Sequence, residues 1–238
     1  MFSTEFNLTA YKQLIGKFLQ AEYTIGKFSE NFSKEQTLLI RHDVDFDCML
    51  ALDMARFEYQ MGVKSTYFFL ISSAAYNPFS GSVRKCIENI REFGHEISLH
   101  FDPEIYLDVE KGLLEELDIF ERAFSERPKV ISFHRPNNFF VNHQDTIAGV
   151  EHTYQPKFTK EIAYLADSQG QWRFGHPLKS NAFKNNASLH LLIHPLWWTL
   201  PGKTPEEKLK VLFQKQVARI KSHDAANCKP FINILNEL

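Results

Sequence analysis

Two carboxylates, Asp43 and Asp45, flank Val44 in the run RHDVD. On an extended chain successive side chains alternate, so both acids fall on one face. Carboxylates that close repel unless a cation lies between them or one keeps its proton. One can then hold a metal while the other serves as base. The competing role is a pair of helix caps, which suits Asp47 better. His100 ends the run HEISLH, a position that suits a zinc-type ligand. Glu104, four residues on, is either a further ligand or a cap. His134-Arg135-Pro136 closes KVISFH. Arg135 can grip a carboxylate with two hydrogen bonds and is expected to hold Asp43 ionised, with an ordinary rim salt bridge as the alternative. His134 has strand parity opposite to Arg135, so only one faces the rim centre unless the chain bends. Asp167 opens DSQGQW and can bond the far nitrogen of His194, fixing its tautomer and raising its pKa; alternatively it makes a turn with Ser168 and Gly170. His194 ends LHLLIH and suits a general acid. The rings of Trp197 and Trp198 beside it suit a sugar-binding platform or core packing. His95 and His190 read as structural.

The elements that must carry these residues follow from hydrophobic period. Helical spacing appears over 10–20, 48–61 with Gly62 as the stop, 82–93 closed by Gly94, 106–124 and 204–222. The last of these starts at Thr204-Pro205-Glu206-Glu207, a good helix start. Strands are expected at 37–40, 65–71, 95–100, 129–134, 161–167 and 188–195. The stretch 136–160 has poor periodicity and reads as a long loop over one rim. Regular alternation of strand and helix implies right-handed crossovers and a parallel sheet, open or closed into a barrel. In such folds the C-terminal strand ends build the active site, and those ends carry the polar residues named above. No linker or repeat divides residues 1–238, which are read as a single domain.

Composition narrows the function. Hydrophobic residues make up 44% and charged residues 24% of 238 residues, and the net charge is −2. That supports a real core and argues against nucleic-acid binding, which usually shows a basic excess. No apolar run reaches the ~18 residues of a membrane span. The start lacks the pattern of a secretory signal. Cys48, Cys86 and Cys228 are odd in number and far apart, which fits a reducing compartment, core filling or a surface thiol. A cytoplasmic location is therefore expected, and the oligomeric state is left open.

Taken in order, IRHDVD, TYFFL, GHEISLH, FHRP, ADSQGQW and LLIHP resemble the motifs of the polysaccharide deacetylase superfamily, carbohydrate esterase family 4 and its relatives. The likeness runs from about residue 37 to 198 and is nearest to a divergent, unsecreted branch found with surface-polysaccharide biosynthesis. It implies a single-domain α/β fold, a distorted parallel (β/α)7 barrel. It also implies a divalent metal, usually zinc, and hydrolysis of an acetamide. On this resemblance Asp43 matches the catalytic base, Asp45 the metal-binding acid and His100 the first metal histidine. Arg135 matches the arginine that braces the base, Asp167 the acid that tunes the catalytic histidine, and His194 that histidine. Two departures stand out. The family's acids are usually adjacent, but Val44 separates them here. Glu104 stands where the second metal histidine is expected, so the third ligand is Glu104 or His134, or the site binds metal weakly.

The expected activity is removal of an acyl group, acetyl above all, from the nitrogen of an amino sugar or sugar conjugate. The implied partner is a small-molecule or glycan substrate. Two alternatives stay open: an amidase acting on a non-sugar amide or cyclic imide, and a degenerate barrel that binds a glycan or protein without catalysis. A glycoside hydrolase using Asp43 and Asp45 is disfavoured, because acids so close in sequence do not span a sugar ring.

Overall fold

The structure is a computed structural model that describes residues 6–234. Its strands are β1 (Thr24–Gly26), β2 (Thr37–Val44), β3 (Thr66–Leu70), β4 (Glu96–Phe101), β5 (Val130–Phe133), β6 (Glu151–His152), β7 (Ala163–Ala166) and β8 (Leu189–Ile193). The main helices are α1 (Leu8–Gln20), α2 (Cys48–Gln60), α3 (Gly81–Glu92) and α4 (Val109–Phe124). Short helices α5 (Asn138–Asn142), α6 (Pro156–Thr159), α7 (Asn181–Lys184) and α8 (Pro195–Thr199) follow, then α9 (Pro205–Asn227) and α10 (Lys229–Ile234).

Local chemistry sets these boundaries. Asn7 accepts from the Ala10 amide at 2.8 Å and caps α1, and Asp47 does the same for α2 through Met49 at 2.8 Å. Thr204 accepts from Glu207 at 3.3 Å at the head of α9. Gly62 (φ +70°) and Gly94 (φ +88°) end α2 and α3 in the left-handed region that glycine enters without penalty. The apolar face of α1, Tyr11, Leu14, Ile15 and Phe18, follows helical spacing and is buried against Leu38, Ile40 and Leu191 of the sheet and Trp198. Burying each such side chain contributes about 1.5–3 kcal/mol.

Every strand pairing is parallel, in the order β6-β5-β4-β3-β2-β8-β7. β1 lies against the first half of the β2 edge whose second half takes β3 (Thr24 opposite Thr37, Arg41 opposite Thr66). Among the described residues no pairing joins β6 to β7, so the expected distorted (β/α)7 barrel forms without closing. No helix of the described residues is long and apolar enough to cross a membrane.

Several expectations need correction. β2 was expected to stop at 40 but runs to Val44, because the polar side chains of Arg41, His42 and Asp43 are buried and partnered. The stretch 136–160 is not a plain loop: it holds α5, β6 and α6, elements too short to show a period. β1, three residues long, escaped notice for the same reason. Helix α9 continues past 222 to Asn227. Cys48 and Cys86 are buried and Cys228 is exposed, with no disulfide among the described residues.

Candidate active site and metal centre

The C-terminal ends of β2, β4, β5, β7 and β8 deliver the polar residues to one rim. Asp45, His100 and His134 meet there, with one ligand atom from each lying within 4.8 Å of the others. Asp45 Oδ1 sits 3.2 Å from His100 Nε2 and 3.3 Å from His134 Nδ1. That oxygen is buried and has no hydrogen-bond partner. An orphaned buried carboxylate oxygen faced by two imidazole nitrogens, none aligned for a hydrogen bond, is what ligands converging on a shared cation look like. Burial works against the charge on Asp45, but the two imidazoles outweigh it and hold the carboxyl well below its usual range. His100 Nδ1 is tied to Ser132 Oγ at 2.6 Å, on the residue opposite it in β5. This bond orients the ring and leaves Nε2 for the site.

The third position of the cluster is thus His134 and not Glu104. Glu104 is 53% exposed, and its nearest charged partner is Arg135 at 3.8 Å. The parity conflict between His134 and Arg135 is resolved by the backbone. β5 ends at Phe133, and Arg135 takes φ +47°, a left-handed conformation rare outside glycine. The chain bends there, so His134 faces the centre and Arg135 swings outward.

Arg135 therefore does not brace Asp43. It donates to Asp102 Oδ2 at 2.5 Å and is 58% exposed. The guanidinium on Asp43 belongs to Arg41, through Nε to Oδ1 at 2.7 Å and Nη2 to Oδ2 at 2.6 Å. Both groups are buried, Arg41 at 0% and Asp43 at 4% exposure. Arg41 also lies over the rings of Tyr154 (5.1 Å) and Phe68 (5.8 Å). Burial raises the Asp43 pKa, yet Arg41 and then His100 pull it below the ordinary carboxylate value. Sequence reasoning passed over Arg41. The signal was present, since residues i and i+2 of a strand share a face.

Asp167 receives three donors. His194 Nδ1 lies 2.6 Å from Oδ1, the His194 amide bonds the same carboxylate, and Trp198 Nε1 donates to Oδ2 at 2.7 Å. His194 Nε2 points the other way, 3.8 Å from Asp45 Oδ2. Burial disfavours the imidazolium, but Asp167, then Asp45 and Asp43, overcome it and push the His194 pKa up to about 9. Trp198 is accordingly no substrate platform: it is buried and holds Asp167. Trp197 does line the cavity.

That cavity has a volume of about 670 Å³ and contains Asp43, Asp45, His100, His134 and His194. Phe133, Tyr154, Tyr164, Leu192 and Trp197 give it an apolar wall. Size and lining suit a small polar molecule with one apolar face. His190 and His95 lie outside it. His190 Nδ1 bonds the Phe158 carbonyl at 3.0 Å, and burial lowers its pKa to about 3. His95 bonds the Ala55 carbonyl at 2.9 Å.

Behind β2 lies a second polar cluster that the sequence did not suggest. Glu58 of α2 is fully buried and accepts from Tyr11, Ser65 Oγ (2.6 Å) and Tyr67 (2.8 Å), with His42 Nε2 at 2.8 Å. Burial raises its pKa, but His42, His95 and these bonds bring it down to about 2. His42 adjoins Asp43, so this cluster anchors the strand that presents both acids.

No protein-family model matches the chain, and no curated protein matches it. Solved structures do. It is similar to the peptidoglycan deacetylase PdaC from Bacillus subtilis, at 12% identity over 81% of this chain and 95% of that one (TM-score 0.44). It is similar to a family 4 carbohydrate esterase from Bacillus anthracis at 13% identity over 87% and 86% (TM-score 0.43). The Streptococcus pyogenes deacetylase PplD, in complex with acetate, is similar at 13% identity over 87% of each chain (TM-score 0.45). Likeness at this level leaves the chemistry to be argued from the side chains.

Proposed function

We propose that the chain is a metal-dependent amide hydrolase of the polysaccharide deacetylase superfamily. It removes an acyl group, acetyl above all, from the nitrogen of an amino sugar or sugar conjugate. The observation that carries this is the convergence of Asp45, His100 and His134 beside two differently tuned groups, the Arg41-held Asp43 and the Asp167-held His194.

Two imidazoles and one carboxylate form a donor set that suits zinc and leave room for a further ligand. A divalent ion held there would act as a Lewis acid, acidifying water and polarising the acyl carbonyl. The protein's own groups supply the proton movements. Asp43, kept ionised by Arg41, accepts a proton from the attacking water. The water oxygen bonds the acyl carbon. His194, protonated at neutral pH because of Asp167, donates from Nε2 to the departing nitrogen as the C–N bond breaks. The products are a free amine and a carboxylate. Trp197, Tyr154 and Tyr164 keep one side of the cavity apolar, which suits the face of a sugar ring. A place in surface-polysaccharide biosynthesis, in the cytoplasm, is part of the same proposal and rests on the motif resemblance.

The test is metal content and acetate release, for the wild type and for the double variant Asp45→Ala with His100→Ala. About one divalent ion per chain, lost in the variant together with acetate release from N-acetylated sugars, is the expected result. A wild-type protein that takes up no metal after reconstitution refutes the mechanism.

A further inference from the structure

The main cavity does not end at its apolar wall. A second cavity of about 260 Å³, lined by Ser168, Gln169, Gln171 and Arg173, adjoins it. Ser168, Gln169 and Arg173 line both, so the two cavities share a border at these three side chains. The four residues that line the annex are all of polar type and include one cation and no carboxylate.

The two arginines of the main cavity differ in how far their charge is spent. Arg135 is matched by Asp102 at 2.5 Å and Glu104 at 3.8 Å. Arg173 makes no ion pair among the described residues. Its backbone is fixed, since the amide donates to the Ala166 carbonyl at 3.1 Å, and its guanidinium lies 5.6 Å from the Phe174 ring. The nearby acids are also committed: Asp43 is neutralised by Arg41, and Asp45 faces two imidazoles. The backbone at Gln169 adopts φ +59°, a left-handed conformation unfavourable for a side chain of this kind. The turn that carries the annex is therefore held in a costly shape next to the catalytic cavity.

We propose that this annex is the binding subsite for an anionic substituent of the substrate. On this view the acylated amino sugar carries a phosphate or carboxylate, which meets the Arg173 guanidinium and the Ser168, Gln169 and Gln171 side chains while the N-acyl group reaches the metal cluster. This specificity rests on the hydrolase reading for the identity of the sugar, but the subsite can be tested without turnover.

The probes are N-acetylglucosamine, its 1-phosphate, and the corresponding N-acetylated uronic acid, titrated calorimetrically into the chelator-treated full chain. A charge-assisted contact at an exposed arginine gives about a tenfold preference for an anionic over the neutral sugar. The preference shrinks as ionic strength rises. In Arg173→Gln the ratio falls to about one, and Arg173→Lys keeps part of it. The better-bound anion identifies phosphate or carboxylate as the natural substituent. Equal binding of all three sugars by the wild type overturns the proposal, as does absence of binding at millimolar concentration or a preference that survives Arg173→Gln. If the preference holds but the metal-loaded enzyme releases no acetate, the hydrolase reading falls and the subsite stands.

Discussion

Replacing Arg41 with Met isolates the pair on which the proposed base depends. The guanidinium makes two bonds of 2.7 and 2.6 Å to a carboxylate that is 4% exposed. Removing one member of a buried pair leaves the other charge uncompensated, at a cost of about 3–5 kcal/mol. Replacing both with apolar groups of similar size avoids that penalty, so Arg41→Met/Asp43→Leu should lie within about 1 kcal/mol of the wild type. The Nη1 of Arg41, buried with no hydrogen-bond partner, makes the native pair less favourable still against an apolar replacement. The loss in the single variant depends on pH. In the wild type the Asp43 pKa lies below the unfolded value of about 3.9. Its contribution is full above that pH and lost as pH falls through the depressed folded value. In Arg41→Met burial acts unopposed by the guanidinium, the pKa rises, and the carboxyl takes up a proton on acidification. The gap between the two proteins is therefore widest near neutral pH and narrows toward about pH 5. Urea unfolding of chelator-treated protein measures this without linkage to metal binding. A single variant within about 1 kcal/mol of the wild type at neutral pH, or a double variant as unstable as the single, would refute the reasoning.

Three further outcomes follow from the geometry. Asp167→Asn removes the main group that raises the His194 pKa to about 9, so the alkaline limb of the kcat profile shifts toward 6.5 and kcat near pH 8 falls by roughly thirtyfold, the ratio of protonated imidazole in the two proteins; an unmoved limb assigns the proton donor elsewhere. In the folded protein that raised pKa also means stability fully present below 6.5 and lost as pH rises through about 9, which the Asn variant should lack. His134→Ala should weaken metal binding by roughly two orders of magnitude or more, and Glu104→Ala by less than about threefold, in competition titrations with a chelator; the reverse order would restore Glu104 as ligand. Glu58, held at about 2 against an ordinary 4.5, contributes about 3 kcal/mol above pH 4.5 that is lost as pH falls toward 2. Glu58→Gln should therefore lower stability at neutral pH and flatten its acid dependence, as read by thermal unfolding across that range.

Sequence alone determined which residues reach the rim. Asp43 and Asp45, His100, Asp167 and His194 each fall at or just past the end of an apolar run, and a parallel β/α fold sends all such ends to one side; between His134 and Arg135 the parity of the run left the choice open. His95 and His190 were separable from them by depth and parity within the same strands. Which side chains pair at that rim was decided by tertiary structure. The expected partner of Asp43 was Arg135, but a single left-handed residue turns Arg135 toward Asp102, and no sequence period encodes that φ value. The same turn brings His134 into the cluster, while Glu104, in the short turn after β4, is half exposed and lies against Arg135. Trp198 could have faced a sugar or the core; the approach of Asp167, from a different strand, made it a donor in the interior. β1 and β6 are too short to carry a pattern and exist because longer neighbours offer them an edge. Glu58 looks like any charged residue of an amphipathic helix until Tyr11, Ser65, Tyr67 and His42 close around it from separate elements. Periodicity along the chain fixes direction and face, which are local properties, whereas pairing depends on distances between segments that only the packed sheet sets.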